Sequence, residues 1–108
     1  MVKRKVDARA MKSARKFVAE ISKDYKVQNA FLFGSFASGT QHEHSDIDIA
    51  VVLDGINNKF DEMAKLYRYT RYIDLRIEPH PFHALEFKQI ESPMVSQIIK
   101  TGIPIHAA

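Results

Sequence analysis

The chain has 108 residues, which is the size of one domain, and we expect a single domain over residues 1–108. It contains no cysteine, which excludes disulfides, thiolate metal sites and a cysteine nucleophile, and no apolar run approaches the ~18 residues of a membrane span, so we expect a cytoplasmic protein. The net charge of +3 is uneven because the basic surplus falls in residues 1–26, which indicates either an acidic or nucleic-acid partner or only the solvated face of a helix.

The first half of the chain predicts a helix followed by two strands. Apolar residues recur at steps of three and four over residues 7–25, which is typical of an amphipathic helix. Residues 28–33 are short, apolar and aromatic, as in a buried strand, and residues 36–40 have room for one helical turn. Residues 46–53 are apolar on both faces apart from two aspartates, which predicts a second strand that is buried on both sides.

The middle of the chain predicts a second helix and a third strand. Residues 59–71 have an apolar stripe and follow two asparagines, either of which can cap a helix. Residues 72–78 alternate apolar and polar side chains, which predicts a strand with Asp74 and Glu78 on its polar face.

The last third of the chain predicts one more helix and a short edge strand. Pro79 and Pro81 are expected to break the chain, and residues 82–91 are ambiguous between loop and short helix. Ser92 precedes a proline, which is typical of a helix start, and residues 103–106 contain a proline that confines them to an edge strand. The expected fold is α/β (α+β): a small mixed sheet of four to five strands with helices packed on one face.

Two aspartates on the second strand are the first candidates for chemistry. Asp46 and Asp48 are two residues apart, so both side chains leave the same face of the strand. Carboxylates in this arrangement can converge on a pair of divalent cations, and Mg²⁺ suits them because it prefers oxygen ligands. The alternative interpretation is that the start of this strand protrudes into solvent and that both aspartates are only hydrated.

Asp74 is the third candidate. If the predicted third strand pairs with the second, Asp74 shares one concave surface with Asp46 and Asp48. In a two-metal mechanism it would hold the metal that activates the acceptor hydroxyl, or take the proton of that hydroxyl directly. The alternative for Asp74 is an ion pair with Arg76 or Arg71. His80, His83 and His106 are scattered along the chain and support no site.

Gly34 and Ser35, which follow the first strand, are the candidates for phosphate binding. Glycine lets the backbone approach a ligand closely. A helical turn that begins at Ser35 would aim N–H groups at a phosphate, and the serine hydroxyl adds another donor. We therefore predict nucleotide binding at Gly34 and Ser35.

These stretches together resemble a known signature. Residues 32–39 (LFGSFASG) and 45–51 (SDIDIAV) resemble the signature of the DNA polymerase β nucleotidyltransferase superfamily, and within it the small stand-alone minimal nucleotidyltransferase group. The similarity extends to residues 72–75 and 98–105 and so covers nearly the whole chain. It implies the nucleotidyltransferase fold and two magnesium ions.

The resemblance also implies a role for each candidate residue. Asp46 and Asp48 would bind both ions, Asp74 would bind the catalytic ion, and Gly34 and Ser35 would hold the triphosphate. Many members of the group are antitoxins that adenylylate a tyrosine of a small helical HEPN-type ribonuclease toxin. The resemblance therefore implies ATP as the donor, a tyrosine of a HEPN-type toxin partner as the acceptor, and a hetero-oligomer with that partner.

The sequence departs from this group in one loop, which keeps other functions open. Where members often have an arginine, this chain has Phe36, Ala37 and Ser38, so the loop brings no cation to the triphosphate. One alternative is a non-catalytic nucleotide-binding subunit that inhibits its partner by complex formation. Another keeps the enzyme but transfers the nucleotide to an RNA end or a small-molecule hydroxyl. Nucleic acid is the less favoured partner.

Overall fold

The computed structural model describes residues 6–88 and 92–106 and has a four-stranded sheet at its centre. The strands are β1 Val27–Phe33, β2 Ile47–Leu53, β3 Ile77–His83 and β4 Ile103–Pro104. They lie in the order β3-β2-β1-β4, with β1 antiparallel to β2 and β4 and with β2 parallel to β3. This arrangement confirms the predicted small mixed sheet, and β4 is an edge strand, as its proline requires.

The helices of the described residues are α1 Ala8–Ile21, α2 Ser35–Ser38, α3 Lys59–Thr70 and α4 Pro93–Thr101, with a 3₁₀ turn over Ala84–Lys88. Side-chain oxygens of Asp7, Asn58 and Ser92 accept N–H bonds at the starts of the three longer helices, which explains where those helices begin. The 3₁₀ turn occupies part of the ambiguous segment 82–91, of which residues 89–91 lie outside the described residues. No helix described here is long and apolar enough to cross a membrane.

Each face of the sheet packs against its own apolar cluster. The larger cluster joins α1 and α3 to one face and includes Phe17, Ile21, Ile47, Ile49 and Leu66. The smaller cluster lies on the other face and includes Ala50, Val52, Phe82, Val95 and Ile98. The helices α1 and α3 therefore share one face, as predicted, whereas α4 packs on the opposite face. Because side chains alternate along a strand, Asp48 projects on the α4 side, as Ala50 and Val52 do.

The third strand is not where the sequence pattern placed it. β3 spans Ile77–His83, whereas the alternation predicted a strand over residues 72–78. The residues before β3 form turns, in which the N–H of Asp74 donates to the C=O of Thr70 at the end of α3 (3.0 Å). Leu75, which was expected on the buried face of a strand, is 80% exposed. The prediction for this strand was wrong because a helical end and its turns can mimic a period of two over a few residues.

Pro79 and Pro81 lie inside β3, although both were expected to break the chain. In a parallel pair, only every second residue of a strand bonds to the neighbouring strand. The C=O of Arg76 accepts the N–H of Ile47 at 2.8 Å, which turns the N–H groups of the even-numbered residues of β3 toward β2 and those of the odd-numbered residues outward. Since β3 is an edge strand, prolines at the outward positions remove no hydrogen bond.

Candidate active site

Asp48 lies at the centre of a half-buried group of polar side chains. Its register partners are Phe33 on β1 and Glu78 on β3, so all three side chains project from the same face of the sheet. Asp46 immediately precedes β2 and is exposed. Because it is two residues from Asp48, its side chain lies on the same face as that of Asp48. The structure thus places Asp46 and Asp48 on one face, at the start of β2, as the sequence predicted.

Glu78 is the third carboxylate of this group. Burial raises the pKa of Glu78, and the negative charges of Asp48 and Asp46 raise it further, while the nearby His80 opposes them. Asp46 and Asp48 therefore lie close enough to Glu78 to act on it, and a bound cation would relieve the repulsion between these negative charges. The sequence analysis did not select Glu78. Its position on the polar face of an alternating segment was the available signal, and the misplaced strand hid it.

His80 also belongs to this group and was missed. Its Nε2 atom lies 3.2 Å from Oδ1 of Asp48 and 3.8 Å from Oε1 of Glu78. The imidazole ring meets Phe33 edge to face, with 5.0 Å between the ring centroids. The only sequence signal was its spacing of two from Glu78, which places both side chains on one face of a strand.

Gly34 holds the backbone of the next loop against Asp48. Its φ of 74° and ψ of −150° belong to a region that is essentially restricted to glycine. A Cβ atom added at Gly34 would lie 2.3 Å from Oδ2 of Asp48. The helix α2 begins at Ser35; the N–H groups of Ala37 and Ser38 donate to the C=O of Gly34, and those of Ser35 and Phe36 precede this bonded turn. Gly34 and Ser35 therefore lie beside the carboxylates, where donors for an anionic ligand are needed.

Asp74 lies apart from the group in which it was predicted. Its Oδ1 accepts hydrogen bonds from the backbone N–H and the Nε–H of Arg76, at 3.0 and 3.1 Å. Its Oδ2 accepts from Nη2 of Arg76 and from the hydroxyl of Ser13 on α1, each at 2.9 Å. The expected position beside Asp46 and Asp48 was wrong because Asp74 is in the turn before β3 and faces the helix layer. The alternative, an ion pair with Arg76, is confirmed.

We expect Asp74→Asn to lower the free energy of unfolding by ~1–3 kcal/mol at neutral pH, because a partly buried charged hydrogen-bond network is broken. The hydrogen bonds from Arg76 hold the pKa of Asp74 below its usual range. The wild-type advantage is therefore complete above the unfolded pKa, ~3.9, and is lost as the pH falls through the lower folded pKa. Urea unfolding of wild type and Asp74→Asn across this pH range measures the difference in their free energies of unfolding.

The control for this prediction is Asp54→Asn, since Asp54 is in an exposed turn and its carboxylate lies 4.0 Å from Nζ of Lys26. We expect that variant to change stability little. A difference between wild type and Asp74→Asn that stays constant as the pH falls would contradict the assignment.

The guanidinium of Arg76 lies beside α2, which has no basic side chain of its own. The guanidinium carbon of Arg76 is 5.8 Å from the centre of the Phe36 ring. Hydrogen bonding to Asp74 raises the pKa of Arg76, so its charge is present at any working pH. Arg76 thus stands close to α2 and to the start of β2, although Phe36, Ala37 and Ser38 contribute no cation.

Known proteins resemble this chain in sequence and in fold. Over 87 residues the chain is 37% identical to a candidate protein adenylyltransferase of Methanocaldococcus jannaschii, covering 78% of this chain and 82% of that protein. It is similar to the crystal structure of a candidate nucleotidyltransferase from Sulfolobus solfataricus, with a TM-score of 0.66 and 25% identity over 89% of this chain and 78% of that chain. A crystal structure of a toxin–antitoxin with AMP-PNP gives a TM-score of 0.55 and 25% identity over 87% of this chain and 73% of that chain.

The chain also matches the sequence pattern of a protein family over most of its length. The sequence pattern of the family described as "Nucleotidyltransferase domain" matches residues 11–106. That range includes all four strands, the turn at Gly34 and the carboxylates around Asp48. The chain therefore belongs to the nucleotidyltransferase domain family.

Proposed function

We propose that this protein transfers AMP from ATP to a hydroxyl of a protein partner, with Asp46, Asp48 and Glu78 as the acidic residues of its active site. The observation that supports this most directly is the placement of three carboxylates beside the turn at Gly34. A bond would form between the acceptor oxygen and the α-phosphorus, while the bond from that phosphorus to the pyrophosphate breaks. The hydroxyl proton would pass to a carboxylate or to water.

The acidic group suits divalent cations, and we propose two Mg²⁺ ions as the number bound. The fit rests on the donors themselves, since carboxylate oxygens on adjacent strands converge and the pKa of Glu78 is raised by burial and by its acidic neighbours. Asp46 and Asp48 would contribute to both sites, and Glu78 takes the role that the sequence gave to Asp74. When bound, such ions lower the pKa of an acceptor hydroxyl and neutralise the leaving pyrophosphate.

Gly34 and Ser35 are proposed to position the triphosphate. The absence of a side chain at Gly34 leaves space for a phosphate beside Asp48, and the N–H groups of Ser35 and Phe36 and the Ser35 hydroxyl would be the donors. Arg76, held by Asp74, would supply the positive charge that this loop lacks. The presence of AMP-PNP in a similar toxin–antitoxin structure supports a nucleotide at this site.

The proposed partner is a helical toxin of the HEPN type, and the proposed acceptor is one of its tyrosines. Two findings support this choice: a relative is described as a candidate protein adenylyltransferase, and a similar structure is a toxin–antitoxin. A second candidate is an inhibitory subunit that binds a nucleotide without transferring it. The helix α2 favours that alternative because Phe36, Ala37 and Ser38 bring no basic side chain to the triphosphate.

The experiment uses ATP labelled on the α-phosphate, Mg²⁺, and the protein encoded beside this one. Asp48→Asn is compared with Asp54→Asn, a matched change just beyond the other end of β2. We expect label on the partner with wild type and Asp54→Asn, and a loss of at least ~100-fold with Asp48→Asn. A stable complex with the partner, but no label on the partner in any lane, would contradict the proposed transfer and support the inhibitory subunit instead.

A further inference from the structure

His80 completes a set of three donors with Asp48 and Glu78. One ligand atom from each residue lies within 4.8 Å of the other two. The imidazole Nε2 is the atom that faces both carboxylates, at 3.2 and 3.8 Å. The ring is held by Phe33 on one side and by its place within β3, and its side chain is 18% exposed. The nitrogen is therefore fixed toward the point at which the carboxylates converge.

These separations match the spacing of donors around one ion. Two ligands that lie at right angles on an ion with bonds of ~2.1 Å are separated by ~3 Å. The observed distances of 3.2 and 3.8 Å reach that value with small side-chain rotations. Two carboxylates also balance the charge of a divalent cation, so a neutral imidazole can be the third ligand.

The nitrogen donor decides which cation fits best. Mg²⁺ is bound mainly by oxygen ligands, whereas imidazole suits first-row transition metals, which accept nitrogen and carboxylate oxygen together. A site of three oxygen donors would show little of this selectivity. The presence of His80 in place of another carboxylate or amide is thus a chemical difference with a measurable consequence.

We infer that His80 is a metal ligand, and that it gives the site of Asp48 and Glu78 a preference for a divalent transition metal such as Mn²⁺ over Mg²⁺. This inference rests on the proposed function in so far as both place a cation at these carboxylates. It assigns His80 a role in choosing the metal, which differs from orienting Asp48 through a hydrogen bond.

The test measures Mn²⁺ bound to the metal-free full chain, without ATP or partner. Electron paramagnetic resonance of free Mn²⁺ gives the affinity, competition with Mg²⁺ gives the preference, and pulsed measurements detect a coupled ¹⁴N nucleus. The variant is His80→Gln, and the matched control is His83→Gln, three residues further along β3 and on its other face. Circular dichroism establishes that each variant is folded.

We expect ¹⁴N coupling in wild type and in His83→Gln. In His80→Gln we expect the coupling to vanish and the preference for Mn²⁺ over Mg²⁺ to fall ~10-fold or more. Mn²⁺ bound to wild type without nitrogen coupling would overturn the inference and leave His80 as a hydrogen-bond partner of Asp48. Failure of wild type to bind Mn²⁺ would also overturn it. Since the coupling in wild type is informative alone, a misfolded variant would not remove the test.

The outcome is independent of the transfer assay. Nitrogen coupling together with no labelled partner would support the metal ligand and contradict the proposed function. A labelled partner in the presence of Mg²⁺, together with no nitrogen coupling in the Mn²⁺-bound protein, would support the proposed function and contradict His80 as a metal ligand.

Discussion

Gly34→Ala is expected to reduce nucleotidyl transfer by ~100-fold or more, because displacing a reacting group by about 1 Å costs that much. The new methyl group would meet Oδ2 of Asp48 at 2.3 Å, so either the carboxylate or the loop must move. The φ of 74° and ψ of −150° add backbone strain of ~1–3 kcal/mol, which thermal unfolding would show as a lower midpoint. Transfer and unfolding are measured on the same preparations.

The matched control is Gly55→Ala. Gly55 has the same φ of 74°, but a Cβ atom there would have nothing within 4 Å. This variant carries the cost of a left-handed residue, ~1–2 kcal/mol, without a clash, and we expect it to transfer AMP at the wild-type rate. Equal losses of transfer in both variants would mean that destabilisation, and not the displacement of Asp48, causes the effect.

Glu78→Gln is expected to have opposite effects on activity and on stability. It removes one of three negative charges that repel one another. Because the Glu78 side chain is 35% exposed, water screens much of this repulsion, and the metal-free protein should gain at most ~1 kcal/mol in its free energy of unfolding. Transfer should fall by ~100-fold or more because the cation loses a charged ligand. Added Mg²⁺ should reduce the gap in stability, since the ion neutralises the repulsion in wild type and binds the variant more weakly.

Glu86→Gln is the control for that gain. Glu86 contacts Lys59 at 2.7 Å and accepts the backbone N–H of His83 at 2.9 Å, so the same chemical change there should destabilise the protein. Denaturant unfolding of the metal-free proteins compares the two variants. A loss of stability in Glu78→Gln without metal would show that Glu78 has a structural partner and is not poised for a cation.

Local patterns were sufficient for the first half of the fold. The strand predicted over residues 46–53 is found at Ile47–Leu53, because a long apolar run between polar loops has few other solutions. The spacing of two between Asp46 and Asp48 fixed their common face whatever the neighbouring strands do. Gly34 could be selected from its position after a strand, although the contact that requires glycine, with Asp48, is visible only in three dimensions.

The third strand could not be placed from the sequence, and the error spread to the site. Pro79 and Pro81 argue against a strand unless one knows that β3 is an edge strand with its odd-numbered N–H groups turned outward. Strand order depends on contacts between distant residues, which a local pattern does not contain. Asp74 was therefore assigned to the site. Glu78 and His80 were not recognised, because Glu78 comes to lie opposite Asp48 only through the parallel pairing of β3 with β2.

The most direct test of this account compares the rates of AMP transfer by wild type, Glu78→Gln and Asp74→Asn, below the unfolding temperature of all three. ATP labelled on the α-phosphate, Mg²⁺ and the partner encoded beside this protein are used throughout. We predict a loss of ~100-fold or more in Glu78→Gln and a much smaller loss, about tenfold at most, in Asp74→Asn, which loosens Arg76 but removes no ligand of the cation. A large loss in folded Asp74→Asn, with Glu78→Gln still active, would contradict the account and return the third catalytic carboxylate to the turn before β3.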